Sequence, residues 1–384
     1  MLVPELSLTR IRGLRALRSY LPALEDLAGE YGQPGAMHGL ELLLGSQFAR
    51  RKQPDLMCFH YPASGAAAPR LAGAVLLLEY RVLGLGTGVF ATADSFGLRT
   101  VVAPPALRAA LCVMAGRALL QQGVRLVLTT WRTADHWVTA PPCGQEERFL
   151  YALQSRTVQD TLPLGSTADA TLQSLGKRTR VHLRADRRRF DGLYPDAELM
   201  DATAAMAAAT DDELTELNQD ALDTIDVDEF NHQVRSLSRG RGGFVLGLRL
   251  QGRWISLLGV WRQGSASWVE WQCNRRGFEK LSLGGVLRTY LLEDEARRGG
   301  THLSFHGGTS HSMQHNFQRT GVADLLMRRT GLLTGLLVRL APLLCRWRPS
   351  LLQRGNFVLN ALCAAGLRWE REMPAISTRP AQEN

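Results

Sequence analysis

The chain has 384 residues, 45% of them hydrophobic and 21% charged, with a net charge of +9. That length predicts two domains, and the composition excludes collagen, coiled coil and wholesale disorder. The basic residues are 42 arginines and three lysines, Lys52, Lys177 and Lys280; the positive balance permits an anionic partner without naming one, because genomic base composition produces the same skew.

The N-terminal stretch MLVPELSLTRIRGLRALRSYL has arginines inside its apolar run and lacks the order of a secretory signal, so a cytoplasmic location is expected. Cys58, Cys112, Cys143, Cys273, Cys345 and Cys363 are scattered, with no C-x-x-C pair, and read as reduced, packed thiols.

Leu71 to Tyr80 is apolar enough for a strand, and Gly84, Gly86 and Gly88 then break the pattern in the manner of a hairpin or bulge turn. A second extended stretch runs through Phe90. Pro104 and Pro105 sit where a helix begins, and apolar residues recur at helical spacing from Ala106 to Gln122 before the strand Val124–Thr130. Asp135-His136 beyond it reads as a surface loop, or as an acceptor contact.

The same order returns roughly 170 residues later. Phe244–Leu250, Trp254–Trp261 and Ser267–Cys273 read as strands, about Gly284 to Arg298 as a helix, and His302–Phe305 as the closing strand. Two strand–helix–strand copies with right-handed crossovers predict an α/β fold, an α+β mixed sheet in two tandem domains. The expected boundaries are 1–165, 166–330 with the donor site, and 331–384 with apolar-basic helices and a polar tail. Between the copies lies the basic, helical segment Leu172–Phe190, followed by the acidic block Asp211–Glu229. Such blocks commonly meet on neighbouring solvated helices; the functional alternative is arginines that steer an anionic donor or acceptor into a cleft.

The most informative segment is Arg275-Arg276-Gly277-Phe278-Glu279-Lys280-Leu281-Ser282-Leu283-Gly284-Gly285-Val286-Leu287. Ser282 is a candidate N-cap, and Gly284 and Gly285 let a ligand approach the backbone. A helix N-terminus with free N–H groups favours phosphate, and Arg275, Arg276 or Lys280 would add charge at its rim. The spacing is neither G-x-x-x-x-G-K-[ST] nor G-x-G-x-x-G, which excludes P-loop and dinucleotide-fingerprint readings.

With the order basic block, hairpin, third strand, Gly turn, helix, strand and then Phe305-His306-Gly307-Gly308, the chain resembles the GNAT acyltransferase superfamily. More narrowly it is similar to the tandem-domain branch containing acetyltransferase-like proteins of cellulose and exopolysaccharide clusters and the Fem-type peptidoglycan aminoacyltransferases. The matching pieces are Leu175–Arg184, Gly277–Leu287 and Leu303–Gly308. The resemblance implies an N-acyltransferase with acyl-CoA, acetyl or longer, as donor and an amine acceptor such as an envelope saccharide or cell-wall precursor. It places the CoA pyrophosphate on the N–H groups of Leu283, Gly284, Gly285, Val286 and Leu287, with Ser282 and Arg276 beside them. The thioester arm would lie in a splay between Ser267–Cys273 and His302–His306. Glu270 is the implied general base, and Tyr290 and His306 are candidates for the acid that protonates the departing thiolate. The N-terminal copy lacks the basic Gly-Gly turn, which implies that it binds no acyl-CoA and helps to shape the acceptor cleft. The Fem-type Phe-Lys pair is absent, since Met313 and Gln314 precede Phe317, and so is the Tyr-Lys pair of polysaccharide-type relatives. A Fem-like enzyme using aminoacyl-tRNA, the one reading that needs nucleic acid, and a non-catalytic scaffold are the alternatives.

By simple alternation Glu270 shares a face with Trp268 and Gln272, while Val269, Trp271 and Cys273 line the other. Each candidate also has an ordinary reading: Glu270 on the solvent face, Tyr290 packed within an apolar helix with its hydroxyl satisfied. His302, His306, His311 and His315 form the one local ligand-like cluster, joined by no Cys or acidic residue at suitable spacing, and no metal is expected. Leu332 to Cys345, interrupted by Arg339 and Pro342, is too short to span a bilayer of about 30 Å. Residues 328–348 mix leucines with arginines; packing on the domain is the commoner fate of such a helix, and peripheral membrane contact is the alternative.

Overall fold

The computed structural model describes residues 5–31, 52–62, 69–82, 85–92, 101–133, 149–240, 242–305, 317–347, 361–362 and 369. In chain order these form β1 (Ser7–Arg12), α1 (Leu14–Glu30), β2 (Lys52–His60), β3 (Leu71–Val82), β4 (Leu85–Thr92), β5 (Val101–Val102), α2 (Arg108–Gln121), β6 (Leu126–Thr133) and β7 (Phe149–Pro163). Next come α3 (Ala168–Ser174), α4 (Lys177–Leu193), β8 (Glu198–Asp201), α5 (Thr203–Ala208), α6 (Asp211–Gln219) and α7 (Val227–Arg239). The chain continues through β9 (Gly243–Leu250), β10 (Arg253–Gln263), β11 (Ala266–Asn274), α8 (Leu283–Arg297), β12 (His302–Phe305), β13 (Gln318–Arg329) and α9 (Leu332–Trp347). Residues 1–44, 48–157 and 320–384 make up one compact unit, and 45–47 with 158–319 the other.

In the first unit the strand order is β1-β2-β3-β4-β6-β13-β7, with β5 beside β3. The near-continuous apolar run of β3 is explained by burial on both faces, each reached by alternate residues. Val75 and Leu77 pack with Leu111 and Cys112 of α2, whereas Ala74, Leu76 and Leu78 pack with Leu17 and Leu24 of α1. Strands β4 and β6 pair in parallel, Val89↔Leu126 to Ala91↔Leu128, as a helical crossover through α2 permits. Gly86 and Gly88 fall in β4, which pairs with β3, Val82 facing Leu85 and Arg81 facing Gly86.

In the second unit the order is β7-β12-β11-β10-β9-β8. Again one pair is parallel: β11 and β12, Ala266↔His302 to Val269↔Phe305, joined through α8. Leu246, Leu248, Leu258, Val260 and Val269 of this sheet pack against Leu183 and Phe190 of α4 and Val286, Leu287 and Leu291 of α8. The fold is thus mixed α/β in two units, each with one parallel strand pair bridged by a helix.

The two charge blocks do not neutralise each other. The α4 arginines pair with Asp169, Asp191 and Glu293, and the acidic block pairs elsewhere, Asp211 with Arg235 and Asp220 with Arg275. The cause is the neighbourhood of α4, which packs on α8 and so meets Glu293. Among the described residues no helix is long and apolar enough to cross a membrane, and no group of three or more His, Cys, Asp or Glu is placed to hold a metal ion.

Candidate functional site

Strand β11 does not alternate simply. Trp271 pairs with Gly259 and Val269 with Val260, so Glu270 is an extra residue, a β-bulge. Below it, Ser267 donates to Glu295 of α8 (2.6 Å) and Val269 joins the α8 core. Above it, Trp271 meets Phe230 of α7 edge-on at 6.1 Å, and Gln272 lies against Gly284 of α8. Val269 and Trp271 therefore lie on opposite faces, contrary to the alternation expected from sequence, because one inserted residue reverses the parity of all that follow. Glu270 itself is the bulged residue, two positions before Gln272. Half-buried, it follows the last parallel pair among the described residues, Val269↔Phe305. Contrary to the expected splay, Ala266–Val269 pair with His302–Phe305 of β12.

About 7 Å further along the strand, Gln272 reaches the start of α8. Ser282 occupies the N-cap in the left-handed region (φ 50°, ψ 47°), and its side chain makes no capping bond. Its carbonyl instead folds back to accept the N–H groups of Gly285 (2.7 Å) and Val286 (3.1 Å). Of the amides singled out from sequence, those two are engaged and Leu287 already belongs to the helix ladder; Leu283 and Gly284 have no acceptor among the described residues. The open donor set is accordingly two amides, a consequence of the backbone turn at Ser282.

A cavity of about 220 Å³ opens over these amides, bordered by Gln272, Asn274, Phe278, Ser282 to Gly285 and Arg288. Arg288 is mostly buried with its guanidinium 5.1 Å from the Phe305 ring centroid, and burial draws its pKa down. Arg275 also borders the cavity and pairs with Asp220 at 2.5 Å. Arg276 is turned away: its Nε donates to the Ala221 carbonyl at 2.8 Å. On the opposing side of the balance, Glu279 lies on the rim, its carboxylate held below the usual range by the N–H of Gly277, and Asp186 of α4 approaches Gly285.

Tyr290 is not among the residues that border this cavity. Its hydroxyl donates to Asp191 of α4 at 2.7 Å and its ring lies 3.6 Å from the Arg187 guanidinium carbon. Burial, then the bond to Asp191, pushes its pKa up to about 12. His306, with His311, His315, Met313, Gln314 and Asp135-His136, lies outside the described residues. Sequence reasoning missed Gln272, Asn274, Phe278 and Arg288. The strand and helix that carry them were legible, but which of their residues converge depends on the bulge.

No family model matches the chain, and no curated protein sequence matches it. Similar solved structures include FemX, with 10% identity over 74% of this chain and 90% of that one, TM-score 0.44. L-PGS from Bacillus licheniformis shows 12% identity over 82% and 94%, TM-score 0.49. A tandem GNAT protein from the clavulanic acid biosynthesis pathway shows 14% over 85% and 99%, TM-score 0.43. These likenesses concern overall architecture and carry nothing about donor or acceptor.

Proposed function

We propose that this chain is an acyl-CoA-dependent N-acyltransferase whose donor site lies at the N-terminus of α8. The observation that carries the reading is the cavity over the open amides of Leu283 and Gly284, bordered by Gln272 two residues beyond the Glu270 bulge. Two unsatisfied donors at a helix N-terminus favour a diphosphate, the dipole adding about 0.3–1 kcal/mol at an exposed end. From there a thioester arm follows β11 toward the bulge at Glu270. The acceptor nitrogen attacks the thioester carbonyl, its proton passing to Glu270, directly or through water; the tetrahedral adduct collapses with cleavage of the C–S bond, and the thiolate leaves with a proton. Tyr290, bound to Asp191, is removed from this path, so the acid is His306 or water.

A second reading draws on α4, where Lys177, Arg178, Arg188 and Arg189 are exposed. An aminoacyl-tRNA donor would use such a face, and its binding would weaken steeply with salt.

The test is thermal melting of the purified protein with CoA, acetyl-CoA and longer acyl-CoAs, since a ligand held by the native state alone must raise Tm. Gly284→Asp is the informative variant: its side chain meets the movable Gln272 amide at 2.5 Å, whereas Gly285 is hemmed by Ser282, Leu183 and Asp186. Wild type is expected to gain several degrees, Gly284→Asp to gain none while melting normally alone, and Glu270→Gln to keep the shift but lose turnover. Equal shifts in wild type and Gly284→Asp would remove the donor site; no shift with any CoA and salt-sensitive tRNA binding would favour the second reading.

A further inference from the structure

Helix α9, in the first unit, buries Thr334 and Ala341. Its opposite side presents Leu332 (89% exposed), Leu336 (48%), Leu340 (41%), Leu343 (52%) and Trp347 (87%). At 3.6 residues per turn these five fall within about 80° of arc along roughly 24 Å of helix. A stripe of that length left in water is uncommon on a soluble surface unless something covers it.

At the N-terminal end of the stripe a cavity of about 570 Å³ is bordered by Leu150, Arg328, Leu332, Leu336, Arg339 and Trp369. Among the described residues that border it are two cations and no carboxylate. The Arg328 guanidinium lies 4.9 Å from the Trp369 ring centroid, and its buried Nε has no hydrogen-bond partner. Burial, and then the charge of Arg339, draws the Arg328 pKa down. Neighbouring guanidinium groups whose charges repel are relieved by a bound anion. From 325 to 369 the sequence contains seven arginines and neither Asp nor Glu, so this stretch of the chain is strongly basic.

We propose that α9 and this cavity dock the protein on an anionic phospholipid bilayer, with the leucine stripe and Trp347 in the acyl boundary and Arg328 and Arg339 on headgroup phosphates. A second copy of the chain is a poorer occupant, because a two-fold contact through this face would set Arg328 and Arg339 against their own copies. An interfacial helix combines these two features, an apolar face for the acyl boundary and cations for the headgroups.

The test is co-sedimentation of the full chain with vesicles of phosphatidylcholine alone or with one quarter phosphatidylglycerol, at low and high salt. Wild type is expected to pellet with the anionic vesicles and largely to stay in solution with neutral ones. Leu336→Glu/Leu343→Glu should remain in the supernatant with unchanged Tm, since both side chains are exposed. Arg328→Gln/Arg339→Gln should lose roughly tenfold or more of the preference for anionic vesicles, at about 1 kcal/mol for each cation near the surface. Wild type that ignores both vesicle types would overturn the proposal. So would a dimer, seen by light scattering, that the leucine variant dissolves while vesicle binding is absent. Neither outcome bears on the α8 site, which the CoA melting experiment reads separately.

Discussion

Glu295 is wholly buried, a position a carboxylate tolerates only when its charge is met. It accepts from Arg262 Nε (2.7 Å), Arg298 Nη2 (2.7 Å) and Ser267 Oγ (2.6 Å), tying α8 to β10 and β11. Glu295→Ala would leave two guanidinium groups facing a void, and the expected loss is about 3–5 kcal/mol. Urea unfolding of the variant measures it, and a loss below about 1 kcal/mol would show that the network is dispensable. Nothing in Glu293-Asp294-Glu295 marks the third as the buried one. All three read as solvated helix residues, and the distinction arises from which side of α8 meets Arg262. Glu270 is the converse case: its presence on a strand was legible, but the bulge it occupies was not, because that lies in the pairing with β10.

Among the elements, β11 and α8 were readable almost to the residue, since apolar alternation and the Gly pair are local signals. The expected helix about Gly284 to Arg298 is observed as Leu283–Arg297, and the strand His302–Phe305 is observed as read. What stayed hidden is the conformation of Ser282, whose left-handed backbone spends its carbonyl on Gly285 and Val286. Close approach decides another junction, from α7 into β9. A Cβ on Gly243 would overlap the Leu237 carbonyl, a backbone atom that no side-chain rotation can move aside. Gly243→Ala should therefore destabilise the protein by roughly 1–3 kcal/mol, read as a lower Tm; an unchanged Tm would mean that the junction opens freely.

Over the whole molecule, ionisable groups in both units are held in their neutral forms. Burial pushes the Cys58 thiol up to about 12 and Cys273 to about 11, from 9.0, and Tyr80 up to about 12 from 10.0. The unfolded thiols lose their protons near pH 9 while the folded ones keep them. Their contribution is thus complete below pH 9 and is lost as pH rises through about 11 for Cys273 and about 12 for Cys58. The urea midpoint should fall between pH 8 and pH 10.5, and an equal midpoint at the two values would contradict the burial of these groups.

By itself the sequence determined the mixed α/β class, the repeated strand–helix–strand order and the Gly turn before a helix, because periodicity, prolines and glycines act over a few residues and leave their mark locally. Only the tertiary structure decided which amides at α8 stay open, that Glu270 forms a bulge, that the α4 arginines answer to α8 and that α9 keeps a leucine stripe in water. Each of these depends on contacts between segments far apart in the chain, where one bulged residue or one backward-turned carbonyl reassigns every neighbour.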